Sequence, residues 1–195
     1  MNTVANRVAV LIFWLATSLT LAACQRQQAP VVFTPLRYDY LPPLELNVAS
    51  VTVDQQYVPA DGLTPLDPAQ PTQALQQMAQ DRLRPAGSSG RAVFVIKDAA
   101  IARLGDTLSG QLAVELGIYS SDGTRTAFAE ARVARQRTLG DQDLRTALYE
   151  LTRQMMEALN VEFEYQVRHS LQDWLITPKP AVPAPVEQQA LPPAT

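Results

Sequence analysis

Few residues in this chain could carry chemistry. Cysteine and histidine, the side chains most often used as nucleophile, base or metal ligand, occur once each, at Cys24 and His169. A lone thiol excludes an intramolecular disulfide and a thiolate metal cage. One imidazole cannot complete a zinc site that needs three or four donors. A hydrolytic triad would have to use His169, yet no serine stands in a G-x-S-x-G elbow. His169 sits four residues from both Tyr165 and Asp173 and reads as a solvated helix residue. Asp39, between two tyrosines, and Asp98, after the apolar run Ala92 to Ile96, could act as raised-pKa acids if buried. Nothing fixes their separation, and Asp98 reads better as a strand bend or an arginine partner. Gly87-Ser88-Ser89-Gly90 lacks the lysine of a phosphate loop and follows a helix instead of opening one, so it reads as a helix-stop turn. These residues point to no enzyme and no cofactor.

The chemistry that remains is at Cys24. An apolar run from Val8 ends in Leu21-Ala22-Ala23-Cys24, with Arg7 the only charge ahead of it. About 14 apolar residues fall short of the ~20 a spanning helix needs, and small residues at the exit mark a secretory signal. The ending resembles the lipobox of bacterial lipoproteins. That resemblance implies that residues 1–23 are removed, that Cys24 is lipidated and that its new amino group is acylated. One acyl chain holds a protein to a membrane only marginally, whereas two or more anchor it stably. The resemblance also implies that an aspartate after the cysteine favours inner-membrane retention. Gln25 stands there, so the expected place is the outer membrane, periplasmic face.

The formal net charge is −3 over 195 residues, and removing residues 1–23 takes away only Arg7. Nucleic acid is not an expected partner, because it demands a clustered positive field. The length suits one core with tails.

Residues 24–43 read as a lipidated tether, with prolines at 30, 35, 42 and 43 favouring extended backbone. Fully extended, it could hold a domain several tens of Å from the lipid. Phe33, Tyr38 and Tyr40 suggest that its second half docks on the domain. A single domain is expected over residues 44–176. Leu44 to Val53 alternates with one change of phase near Ala49-Ser50, which predicts one strand with a bulge. Residues 54–69 read as a long loop. A helix is expected over 68–84, with Asp67 as its cap and Pro68 at its first position. Strands follow over 91–103, 108–120 and 124–138, the last two joined by the hairpin signal Asp122-Gly123. Asp141 is expected to cap a last helix from about 142 to 175, with a kink at Asn160 or a projecting end. Residues 177–195 hold six prolines and read as a proline-rich disordered tail. The fold class is therefore α+β in the order β-α-β-β-β-α, a four-stranded, mostly antiparallel sheet with both helices packed on one face.

Two surfaces are candidates for contact. Arg132, Arg135 and Arg137 could meet the phosphates of anionic lipid, against the plainer reading of a solvated strand face. Met156, Tyr165, His169 and Trp174 could form an interaction surface if the last helix carries more apolar area than the sheet can cover.

The stretches Tyr40-Leu-Pro-Pro-Leu-Glu-Leu-Asn-Val-Ala, Met78-Ala-Gln-Asp-Arg-Leu and Gly87-Ser-Ser-Gly-Arg-Ala with Ile96-Lys-Asp-Ala resemble a group of uncharacterised proteobacterial lipoproteins over about residues 20–176. In fold, the order of elements is similar to small α+β outer-membrane lipoproteins that serve as accessory subunits. These include the LptE-like lipopolysaccharide-assembly lipoprotein and ABC-transport auxiliary lipoproteins. An anchored, catalytically bare domain with long proline-rich arms reads as a non-enzymatic accessory lipoprotein. It would be held by acyl chains on Cys24 and would support envelope assembly or lipid transport by docking an envelope protein. The other expectation is a periplasmic lipid or small-molecule carrier, with its pocket between sheet and helices.

Overall fold

The computed structural model describes residues 31–59 and 62–176. The expected signal (1–23), Cys24, the first residues of the tether and the tail (177–195) lie outside the described residues.

Four strands form the main sheet in the order β2-β4-β5-β6: Ser50–Gln55, Arg91–Leu104, Thr107–Tyr119 and Arg125–Thr138. β4, β5 and β6 are antiparallel neighbours, whereas β2 runs parallel to β4. A second, two-stranded sheet pairs β1 (Leu44–Leu46) in parallel with β3 (Leu83–Pro85). The α+β class and the single helical face are as the pattern of residues implies. The single bulged strand is not: the phase change at Ala49-Ser50 is where the chain leaves one sheet and enters the other.

Alternation explains the layers. Ala92, Phe94 and Ile96 of β4 sit beside Ile118, Leu116 and Val114 of β5, which sit beside Ala127, Ala129 and Ala131 of β6. All but the half-buried Ala127 are at most 2% exposed. A bulge between Ile96 and Asp98 shifts the phase, so that Ala99 and Ile101 carry the same face onward. The alanines of β6 let a helix lie close. At Gly110 the approach is tight, since a Cβ there would stand 2.5 Å from the Met155 methyl group.

Helix α1 spans Pro71–Arg82, with Pro71 in the opening turn and Gln70 before it at φ 47°. It starts later than Asp67-Pro68 suggests, because Asp67 is used elsewhere. Its carboxylate accepts from Ala69 N at 2.8 Å and from Thr152 Oγ1 at 2.6 Å. Helix α2 spans Leu144–Ser170, and its cap is Asp143 and not Asp141, because Asp143 Oδ1 accepts from the N–H groups of Arg145 and Thr146. It is 27 residues long, about 40 Å at 1.5 Å each. It stops short of residue 175 because Leu171 leaves helical geometry and a 3-10 turn follows at Gln172–Trp174. Leu175 then bridges to Leu46, and Ile176 N donates to Glu45 O. The end therefore docks beside β1 and does not project.

Asn160 lies within α2, buried, and accepts from a guanidinium. Arg82, 1% exposed, donates to Asn160 Oδ1 and Glu164 Oε2 at 2.5 Å each. Burial alone would push the Glu164 carboxyl up, but hydrogen bonds from Arg82 and Arg168 hold its pKa below the usual value. This pair fastens the end of α1 to α2.

Gly87 and Gly90 belong to the turn between β3 and β4, not to a helix stop. A Cβ on Gly87 would meet the Asn47 carbonyl carbon at 2.5 Å and Val48 N at 2.6 Å. Gly87→Ala should therefore cost roughly 2–3 kcal/mol, since backbone must move. Gly110→Ala, opposed by a flexible Met155 end, should cost about 1 kcal/mol or less. Urea denaturation midpoints at unchanged slope check both.

Burial raises the pKa of Asp67 against the two hydrogen bonds that lower it. The folded state thus holds that proton to a higher pH than the unfolded chain does. Its contribution to stability is greatest in acid and falls as pH rises through the folded pKa. Asp67→Asn should flatten this part of the pH–stability curve, as thermal melts from pH 4 to 7 would show. Asp67→Ala should lower stability at every pH.

Candidate functional site

The arm ahead of β1 is seated on the helices over most of its length. Phe33 packs on Tyr149, ring centroids 5.2 Å apart, with the Arg145 guanidinium 5.6 Å over its ring. Tyr149 Oη donates to Thr34 O at 2.9 Å. Five residues on, Tyr38 is 4% exposed, and its N–H donates to Asp81 Oδ2 at 2.9 Å. Gln77 Nε2 donates to the other oxygen of Asp81 at 2.7 Å, and Arg37 stands 3.5 Å away. One buried carboxylate at the end of α1 thus clamps the arm. Burial, foremost, raises the Tyr38 hydroxyl pKa. Pro42 and Pro43 then reach the far end, where with Leu44, Glu45, Arg168 and Ile176 they line an open groove of about 370 Å³. The arm therefore runs from the first turns of α2 to its last. The docking suggested by Phe33 and Tyr38 is real, while Tyr40 points to solvent at 73% exposure.

This placement seats the second half of the expected tether on the helices. The compact unit begins at Phe33 and not at residue 44.

Other candidates are not brought together. Asp39 is exposed and pairs with Arg37 at 3.6 Å. Asp98 lies across the sheet, where it accepts from Ala100 N and Gln111 Nε2 at the β4 bulge. It marks a strand bend, and among the described residues it pairs with Ala100 N and Gln111 and not with an arginine. His169 is exposed and stacks on Tyr165, centroids 6.0 Å apart. Among the described residues no three His, Cys, Asp or Glu side chains group as a metal site.

The two candidate surfaces change shape. Met156 is fully buried, because α2 is covered on a second side by α1 and the segment holding Asp67. Core packing accounts for it. Trp174 is half-buried, and its carbonyl accepts from Asn47 N. What stays outside is a strip one turn apart: Val161 (70% exposed), Tyr165 (61%) and His169. Arg132, Arg135 and Arg137 do not form one patch. Strand alternation puts Arg132 beside Ala113 on the face away from the helices, while Arg135 and Arg137 lie beside Gly110 and Leu108 on the helical face. Arg132 pairs with Glu130, and Arg137 donates to Gln142.

On the face that lacks helices, acidic residues balance the arginines as the plainer reading has it, but sequence reasoning missed that one of them is buried. The centre of this face is that buried carboxylate, Glu115, held by Lys97 at 2.9 Å and Arg125 at 2.8 Å. The signal was present as a charged residue in the inner strand β5, opposite Val95 and Glu130.

No family model matches this chain, and no curated protein matches it. It is similar to solved lipoproteins of proteobacteria. One, assigned as a lipoprotein of Caulobacter crescentus, is 14% identical with a TM-score of 0.35, over 60% of this chain and 85% of that one. A minor lipoprotein of Acinetobacter baumannii is 13% identical with a TM-score of 0.30, over 68% and 99%. A lipoprotein of Neisseria meningitidis is 9% identical with a TM-score of 0.32, over 60% and 99%.

Removing the clamp should free the arm. Asp81→Ala leaves the Tyr38 N–H and Arg37 without their acceptor, at about 1–3 kcal/mol. Limited trypsin digestion should then cut at Arg37 at least tenfold faster than in the parent chain.

Proposed function

We infer that this chain is a non-enzymatic lipoprotein, held by acyl chains on Cys24 to the periplasmic face of the outer membrane. Its role is to support envelope assembly or lipid transport by docking an envelope protein. The observation that carries this reading is the clamped arm. From Cys24 to Phe33 there are nine residues, which span at most about 30 Å when extended. Lipid at Cys24 would therefore hold the first turns of α2 within about 30 Å of the membrane. An anchored body whose two chain ends leave from opposite poles suits a spacer or docking element.

The carrier reading finds less support. The interval between sheet and helices is filled by Phe94, Leu112, Leu116, Met78 and Phe163, each at most 1% exposed. The groove beside Pro42 and Pro43 is open and shallow, on the outside of the core.

Changing Cys24 to serine tests the anchor. The parent chain should sediment with outer membranes and carry a diacylglyceryl and acyl mass on a mature chain beginning at residue 24. The variant should move to the soluble fraction. An unmodified Cys24 in the parent would overturn the reading.

A further inference from the structure

The main sheet has two free edges among the described residues. β6 offers 14 residues paired only to β5, and β2 offers six paired only to β4. Free edges of this length are templates for strand addition unless something covers them. Their charges differ in sign: β6 carries Arg125, Arg132, Arg135 and Arg137 against Glu130, whereas β2 carries Asp54 alone. β2 also leaves an apolar side chain uncovered at the edge, Val53 at 38% exposure.

We propose that copies of this chain assemble edge to edge, β6 of one copy pairing in parallel with β2 of the next. β2 and β6 both run parallel to β4, so such pairing keeps every copy pointing the same way. One register satisfies both faces. With Asp54 beside Arg132, Val51 and Val53 fall beside Ala129 and Ala131 on the helical side. Asp54 and Arg132 both lie on the other side, away from the helices. Among the described residues, the exposed Arg132 meets only Glu130, at 3.4 Å, and Asp54 only Gln56. Both are available. Antiparallel pairing of β6 with a second β6 is disfavoured twice. It joins two arginine-rich edges, and it turns one copy end over end. The turned copy would carry its anchored pole about 45 Å from the other, at ~3.3 Å per strand residue, beyond the ~30 Å reach of its arm. This second argument rests on the lipid-anchor reading; the pairing itself does not. A heterologous contact of this kind gives a ring where its rotation closes and an open filament where it does not.

The test uses the full-length chain in its own membranes and then in detergent. The variants Asp54→Arg and Arg132→Asp should each reduce the assembled species seen by mass photometry at least tenfold, and the double variant should restore it. Cysteines at Thr52 and Glu130 together should give a ladder of disulfide-linked oligomers, while either alone gives none. Monomer in the parent chain, a dimer from the Glu130→Cys variant alone, or failure of the charge swap to restore assembly would overturn the proposal. The mass at Cys24, read on the same sample, reports the anchor separately: a ladder with an unlipidated cysteine removes the anchor and keeps the pairing.

Discussion

The carboxylate of Asp81 decides where the chain can go. It is 7% exposed and receives the Tyr38 N–H, the Gln77 amide and the Arg37 guanidinium. A buried charge with several donors is stable only while those donors stay, because each one lost leaves desolvation uncompensated. The arm is therefore part of the domain, and a proline-rich segment that could have been a loose leash becomes a strap. Its neighbour Arg82 works in the same way on the other side, tying α1 to α2 through Asn160 and Glu164. Two adjacent residues at the end of one helix thus hold three elements in place.

That strap has consequences along the whole body. It lies over α2 from Phe33 to Pro43, so Phe33 is fixed at one pole. The chain leaves at the other pole, where Leu175 and Ile176 join β1. The sheet carries both helices on one face and leaves the Lys97-Glu115-Arg125 cluster on the other.

Much of this was legible in the residues, and the failures have physical causes. Period-two alternation placed the inner faces of β5 and β6, the apolar run Ala92 to Ile96 marked β4 as interior to the sheet, and Asp122-Gly123 placed the hairpin, with Gly123 at φ 88°. The phase change at Ala49-Ser50 was visible, but a bulge and a change of sheet produce the same pattern. Met156 was misjudged because periodicity reports how wide an apolar stripe is, not how many neighbours cover it. The helix boundaries slipped where an aspartate had two uses: Asp67 left the cap to stabilise a turn and meet Thr152, and Asp143 outcompeted Asp141. The arginines of β6 were grouped by closeness in sequence, although one step of three residues sends Arg132 to the opposite face. Asp81 carried little local signal, since only Gln77 is near it in the chain and its partner on the arm, Tyr38, lies 43 residues away.

The most direct measurement of the strap is amide hydrogen exchange in the full-length protein at residues 36–41. The Tyr38 amide, bonded to Asp81 and buried, should exchange as slowly as the amides of α1. Exchange at the rate of an unstructured peptide would contradict the account, because the arm would then be a free leash and the body would have no fixed pole.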